Sequence, residues 1–134
     1  MTKLSDIEGL GPSYSDKLNQ AGIGSIGKFL ELCCVKKNRK ATADKTGISE
    51  KLILEWVNRA DLSRVKGVSK QYADLLEFAG VDTVPELAQR NAENLQQKMA
   101  EVNEEKKLVR QVPSVSQVES WVAQARELPR IVTH

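Results

Sequence analysis

An internal repeat constrains this chain more than any other feature. Slid against itself, the sequence matches at one offset, 65 − 7 = 58, which lays Ile7 over Val65 and Leu4–Leu30 over Leu62–Ala88. The identical columns are Leu4/Leu62, Ser5/Ser63, Gly9/Gly67, Tyr14/Tyr72, Asp16/Asp74, Leu18/Leu76, Ala21/Ala79 and Gly22/Gly80. Others keep chemistry: Ile7/Val65, Leu10/Val68, Ile23/Val81, Ser25/Thr83 and Ile26/Val84. Further on, Trp56-Val57 recurs as Trp121-Val122 at an offset of 65, so the second copy is seven residues longer (65 − 58), the extra lying between Arg90 and Pro113. The terminal Leu128-Pro129-Arg130-Ile131 echoes Leu62-Ser63-Arg64-Val65, like the start of a third copy. The boundaries that follow are 1–61 for the first repeat and 62–134 for the second, with no linker at Ala60-Asp61-Leu62.

Composition narrows the function classes. With 40% hydrophobic and 28% charged residues the chain is ordinary globular material, and with 4% aromatics its core must come from Leu, Ile, Val and Ala. The single histidine, His134, stands at the last position, which leaves no Ser-His-Asp, Cys-His or His-rich metal constellation. Cys33 and Cys34 are adjacent, without CxxC spacing, and read as reduced residues on or near a helix's apolar face. The longest apolar stretch, Leu32–Val35, is far below the ~20 residues of a membrane span, and MTKLSDIEGL lacks a signal-peptide h-region. The expectation is a cytoplasmic, non-enzymatic chain with no catalytic residue, cofactor, metal, membrane or small-molecule substrate.

Caps and periodicity predict helices throughout. Ser13-Tyr14-Ser15-Asp16, with Pro12 just ahead, predicts a helix start, and Gly22-Ile23 and Gly80-Val81 predict left-handed stops. Ser25 and Thr83 cap the next helices, the latter through a Thr83/Glu86 capping box. Ile26, Phe29, Leu30 and Cys33 recur at helical spacing. Each copy closes on an amphipathic helix, Ile48, Leu52, Ile53, Trp56, Val57, Ala60 and then Val115, Val118, Val122, Ala125, with Ser49 and the Ser116/Glu119 pair as caps. No period-2 alternation bounded by hairpin signals occurs, so no sheet is expected. Tyr14 and Tyr72 are assigned to helix seams and Trp56 and Trp121 to the core, with eight to ten mostly short helices in all.

The chemistry lies in the turn before each first helix. Ile7-Glu8-Gly9-Leu10-Gly11-Pro12-Ser13-Tyr14-Ser15-Asp16-Lys17-Leu18 and Val65-Lys66-Gly67-Val68-Ser69-Lys70-Gln71-Tyr72-Ala73-Asp74-Leu75-Leu76 share the pattern apolar-x-Gly-apolar-(Gly/Ser)-x-x-x-(Ala/Ser)-x-x-Leu. A glycine there permits positive φ and leaves peptide N–H groups uncovered beside an open helix N-terminus, a donor cluster suited to a phosphate oxygen. Such a contact grips backbone and reads no base. The other reading is that Gly9, Gly11 and Gly67 merely permit tight turns in a packing module.

The pattern resembles the helix-hairpin-helix motif, over nearly the whole chain, and is similar to an uncharacterised tandem helix-hairpin-helix family carried as a domain of unknown function. The run SDKLNQAGIGSIGKFL (Ser15–Leu30) also resembles the C-terminal domain of the bacterial RNA polymerase alpha subunit. The resemblance implies an all-α fold of two similar helix-hairpin-helix (SAM-like) multi-helix halves packed as a tandem repeat. It also implies non-specific double-stranded DNA as partner. Neither copy is complete: the first carries Pro12 and Ser13 after its glycines, the second has Ser69 for the second glycine.

Charge separates the copies. The net charge of +2 announces nothing, and Met1–Leu62 holds ten cations and eight acids against ten of each in Ser63–His134. Yet Asp6 and Glu8 flank the first turn where Arg64 and Lys66 flank the second, with Lys70 beyond. The expected binding residues are Gly9, Leu10, Gly11 and Ser13 in the first copy and Arg64, Lys66, Gly67, Val68, Ser69 and Lys70 in the second. Lys36, Lys37, Arg39 and Lys40 form an accessory basic patch or a solvated loop joining two helices. The alternative function is a protein-interaction adaptor with an unidentified protein partner and no nucleic acid.

Overall fold

A computed structural model describes Leu4, Ile7 and residues 9–133. Among these, secondary structure is helical throughout: α1 (Pro12–Gln20), α2 (Ile26–Cys33), α3 (Lys36–Thr46), α4 (Glu50–Leu62), α5 (Lys70–Phe78), α6 (Val84–Ala88), α7 (Ala92–Lys106) and α8 (Val115–Glu127). The protein is all-α, and no helix among the described residues is long and apolar enough to cross a membrane.

The chain divides into two compact units, Met1–Asp61 with Arg130–His134, and Leu62–Pro129. The last residues therefore belong with the first unit rather than with 62–134. The physical reason is a docked tail: Val132 is buried in the first core, Thr133 N–H donates to the Cys34 carbonyl at 2.8 Å, and Lys36 N–H donates to Thr133 Oγ1 at 3.2 Å. Arg39 locks this junction. Only 3% exposed, it donates through Nη1 to the Cys33 and Cys34 carbonyls at 3.1 and 3.0 Å and through Nη2 to the Thr133 carbonyl. His134 lies outside the described residues.

In the first unit the core gathers Leu10, Leu18, Ile23, Phe29, Ile53, Trp56 and Val57, among others, with α2 packed on α3. In the second, α6 and α7 pack on α8 and α5 on α7 around Leu75, Leu76, Leu87, Leu95, Met99 and Trp121.

Helix stops follow the glycine rule. Gly22 (φ +86°) and Gly80 (φ +95°) end α1 and α5 in Schellman geometry. Ile23 N–H reaches the Leu18 carbonyl at 2.9 Å, Gly22 N–H the Asn19 carbonyl at 3.0 Å, and Val81 N–H the Leu76 carbonyl at 2.8 Å.

Helix starts differ from the expectation in three places. Pro12 is itself the first residue of α1 and Gly11 its N-cap, because proline's fixed φ and missing N–H suit the first helical position better than the place ahead of a cap. Ser114, not Ser116, caps α8 in a reciprocal box with Gln117, since Val115 is already helical. Thr83 does cap α6, but the Glu86 carboxylate accepts from Asp82 N–H one residue earlier, at 3.3 Å. Ser25 and Ser49 accept from Lys28 N–H and Leu52 N–H, as their positions predict.

The extra residues of the second half also find a place. Helix α7 has 15 residues where α3 has 11, and the connection to α8 is longer than that between α3 and α4. Lys107, at φ +52°, ends α7, so Glu104–Lys106 form the exposed end of a longer helix.

Candidate nucleic-acid interface

Both glycine turns are built on a tryptophan from the unit's last helix. Gly9 has φ +84° and Gly67 φ +95°, a region that disfavours any side chain. A Cβ on Gly9 would meet Trp56 Nε1 at 3.7 Å, and one on Gly67 would meet Trp121 Nε1 at 3.0 Å. Tyr14 and Tyr72 tilt against the same indoles, with centroids 5.1 and 5.3 Å apart, so the tyrosines sit in helix seams. Leu10 and Val68 are buried, and each turn closes through one amide, Leu10 N–H to the Ile7 carbonyl at 3.1 Å and Val68 N–H to the Val65 carbonyl at 3.2 Å. These apolar residues anchor the turns and present nothing to a ligand.

At the first turn, Gly11 caps α1 without a side chain, leaving the Gly9, Gly11 and exposed Ser13 N–H groups with no acceptor among the described residues. Asp6 and Glu8, the acids expected to repel an anion there, lie outside the described residues.

At the second turn the donors are sorted differently. The Lys66 peptide is clamped on both sides by one side chain: its N–H donates to Gln124 Oε1 at 2.8 Å, and Gln124 Nε2 donates to its carbonyl at 3.2 Å. Sequence reasoning missed Gln124, whose only signal is its place one turn after Trp121 on α8. Ser69 is the N-cap of α5, its Oγ accepting from Tyr72 N–H at 3.3 Å. The serine that looked like a lost hairpin glycine is thus a helix cap. The Gly67 and Ser69 N–H groups have no acceptor among the described residues.

The three cations there are not equivalent. Arg64 is half-buried and donates through Nη2 to the Pro129 carbonyl at 3.0 Å. Lys70 is half-buried as the first residue of α5. Lys66 is exposed, and its ammonium contacts no partner among the described residues.

The accessory patch needs correction. Lys36–Lys40 forms the first turn of α3 and is not a loop. Arg39 is withdrawn into the first unit's core, where it serves the tail junction, while Lys36, Lys37 and Lys40 are exposed. Cys33 is fully buried with its thiol beside Thr42 Oγ1 at 3.7 Å; Cys34 is the C-cap of α2 and half-buried, and both are free. Burial pushes the Cys33 thiol up from its ordinary value, against the smaller opposing effects of Thr42 and Arg39, so it is a poor nucleophile. Among the described residues no group of acids, histidines and cysteines is arranged to hold a metal.

No solved structure matches the chain. The family model described as domain of unknown function DUF4332 matches residues 8–128, nearly the whole length, and the chain belongs to that family.

Proposed function

We propose that this protein grips the sugar-phosphate backbone of double-stranded DNA without reading base sequence, and performs no covalent chemistry. The observation that carries the reading is the second turn, where the open Gly67 and Ser69 N–H groups stand in the same short turn as the exposed Lys66 side chain. Backbone donors held by a glycine at positive φ, with a cation beside them, match a phosphate oxygen in charge and geometry. The recurrence of glycine, tyrosine and tryptophan at both turns supports reading the units as two copies of a helix-hairpin-helix module. Two free thiols suit a reducing compartment, in keeping with a cytoplasmic protein.

The test is binding to a random-sequence duplex across a salt series. The slope of log K against log salt should be about −0.9 for each phosphate neutralised, and Lys66→Glu should weaken binding about tenfold or more. Absence of binding at ~50 mM salt would remove the DNA reading.

A second reading, a protein-interaction adaptor, is favoured by the exposed apolar side chains Leu32 (37%) in the last turn of α2 and Val35 (42%), the N-cap of α3. It gains if the duplex fails to bind.

A further inference from the structure

The lengthened connection of the second unit is pinned, not slack. Asn103 on α7 holds Val109 from both sides, its Nδ2 donating to the Val109 carbonyl at 3.0 Å and its Oδ1 accepting from Val109 N–H at 2.9 Å. Tyr72 Oη donates to the Gln111 carbonyl at 3.2 Å, and Gln96 Nε2 donates to the carbonyl of buried Pro113 at 3.2 Å. Arg110 lies between the first two anchors, exposed, and its guanidinium has no partner among the described residues.

Beside these fastenings lies a groove of about 460 Å³. One wall is Ser69, Gln71 and Tyr72 from the second turn and α5; the other is Leu108–Gln111. That volume lies within the roughly 300–1,000 Å³ of sites that seat small molecules, enough for a sugar-phosphate unit. An arginine with no internal partner, held at its flanks by backbone hydrogen bonds, has already lost part of the freedom that binding would otherwise cost. Its planar donor fork suits phosphate oxygens.

We infer that Arg110 is a further phosphate-binding residue, and that the groove between the 107–113 connection and the second turn receives the nucleic-acid backbone, with Asn103 as a positioning residue. This rests on the DNA-backbone reading above and adds to it a side chain supplied by the long connection between α7 and α8. Ser69 belongs both to the glycine turn and to the groove wall, so one strand passing the turn also meets Arg110.

The experiment compares full-length wild type, Arg110→Ala, Asn103→Ala and Lys66→Glu on one random-sequence duplex over a salt series, with helical circular dichroism checked for each. Arg110→Ala should bind about tenfold more weakly and its salt slope should be shallower by about 0.9, one phosphate contact fewer. Asn103→Ala should keep the slope while losing a few-fold in affinity, because the arginine remains but is less well placed. If Arg110→Ala matches wild type in both affinity and slope while Lys66→Glu loses binding, the groove assignment is overturned and the DNA-backbone reading stands. If wild type itself does not bind at low salt, both fall.

Discussion

The two glycine turns are alike in frame and unlike in what they offer. Each places a glycine at positive φ over a tryptophan indole, closes through one backbone hydrogen bond across three residues, and sets a tyrosine against that indole. They part at the next residue. Gly11 leaves the first turn of α1 uncapped by any side chain, whereas Ser69 caps α5 and Gln124 takes up the Lys66 amide. At the second turn side chains thus take up the Lys66 and Tyr72 amides, and the Lys66 cation and the Arg110 groove stand beside the donors that are left. A backbone frame set by packing need not fix the ligand; the side chains around it decide whether an anion is drawn in.

The largest expected effect breaks the likeness of the glycines. Gly67→Ala adds a methyl 3.0 Å from Trp121 Nε1 at φ +95°, so it incurs both backbone strain and a clash with a buried ring. Gly9→Ala meets Trp56 at an ordinary 3.7 Å and incurs the strain alone. Urea unfolding should show a loss of about 2–4 kcal/mol for Gly67→Ala and about 1–2 kcal/mol for Gly9→Ala. Equal losses would show that the indole moves aside freely and that the closer approach at the second turn has no energetic weight.

The tryptophans also mark what the sequence could and could not express. Apolar periodicity and the Gly22 and Gly80 stops foretold the helices, because both are local: one depends on 3.6-residue spacing, the other on the conformational freedom of one residue. That Trp56 and Trp121 are the floors of the two turns was beyond reach, since the contact joins residues dozens of positions apart. Arg39 was misread for a related reason. It sits in a run of cations, where solvation is the ordinary fate, but the Cys33 and Cys34 carbonyls at the end of α2 and the Thr133 carbonyl of the returning tail converge on it and hold it inside. Arg110 falls in the span between Arg90 and Pro113 where the second copy is longer, but a difference in length carries no information about which residues are extra or what holds them. The Asn103 and Tyr72 anchors are tertiary.

A smaller effect exchanges the caps. Ser69→Ala removes the acceptor for Tyr72 N–H and should cost about 1 kcal/mol. Gly11→Ser should stabilise the first unit by about 0.5–1 kcal/mol, because Gly11 has ordinary φ, nothing within 4 Å of an added Cβ, and a cap position to fill. Thermal unfolding of the two variants checks both signs. A destabilised Gly11→Ser would mean that the first turn requires glycine for a reason other than its dihedral angles.

The smallest effect perturbs one unit alone. Cys33 lies in the first unit, and the second contains no cysteine. Burial raises the folded thiol's pKa above the ordinary 9.0 at which the unfolded chain ionises, so both states hold the proton at neutral pH. Above that value the unfolded chain releases a proton that the folded first unit keeps, and ionisation draws the equilibrium toward unfolding. The contribution is therefore fully present below about pH 9 and is lost as pH rises through the folded pKa. Cys33→Val keeps an apolar group of similar size and removes the titration, so its stability should fall less steeply than wild type between about pH 8 and 10. Parallel curves would show that the Cys33 thiol ionises as readily in the folded first unit as in the unfolded chain, leaving Thr42 and Arg39 as full compensation for its burial.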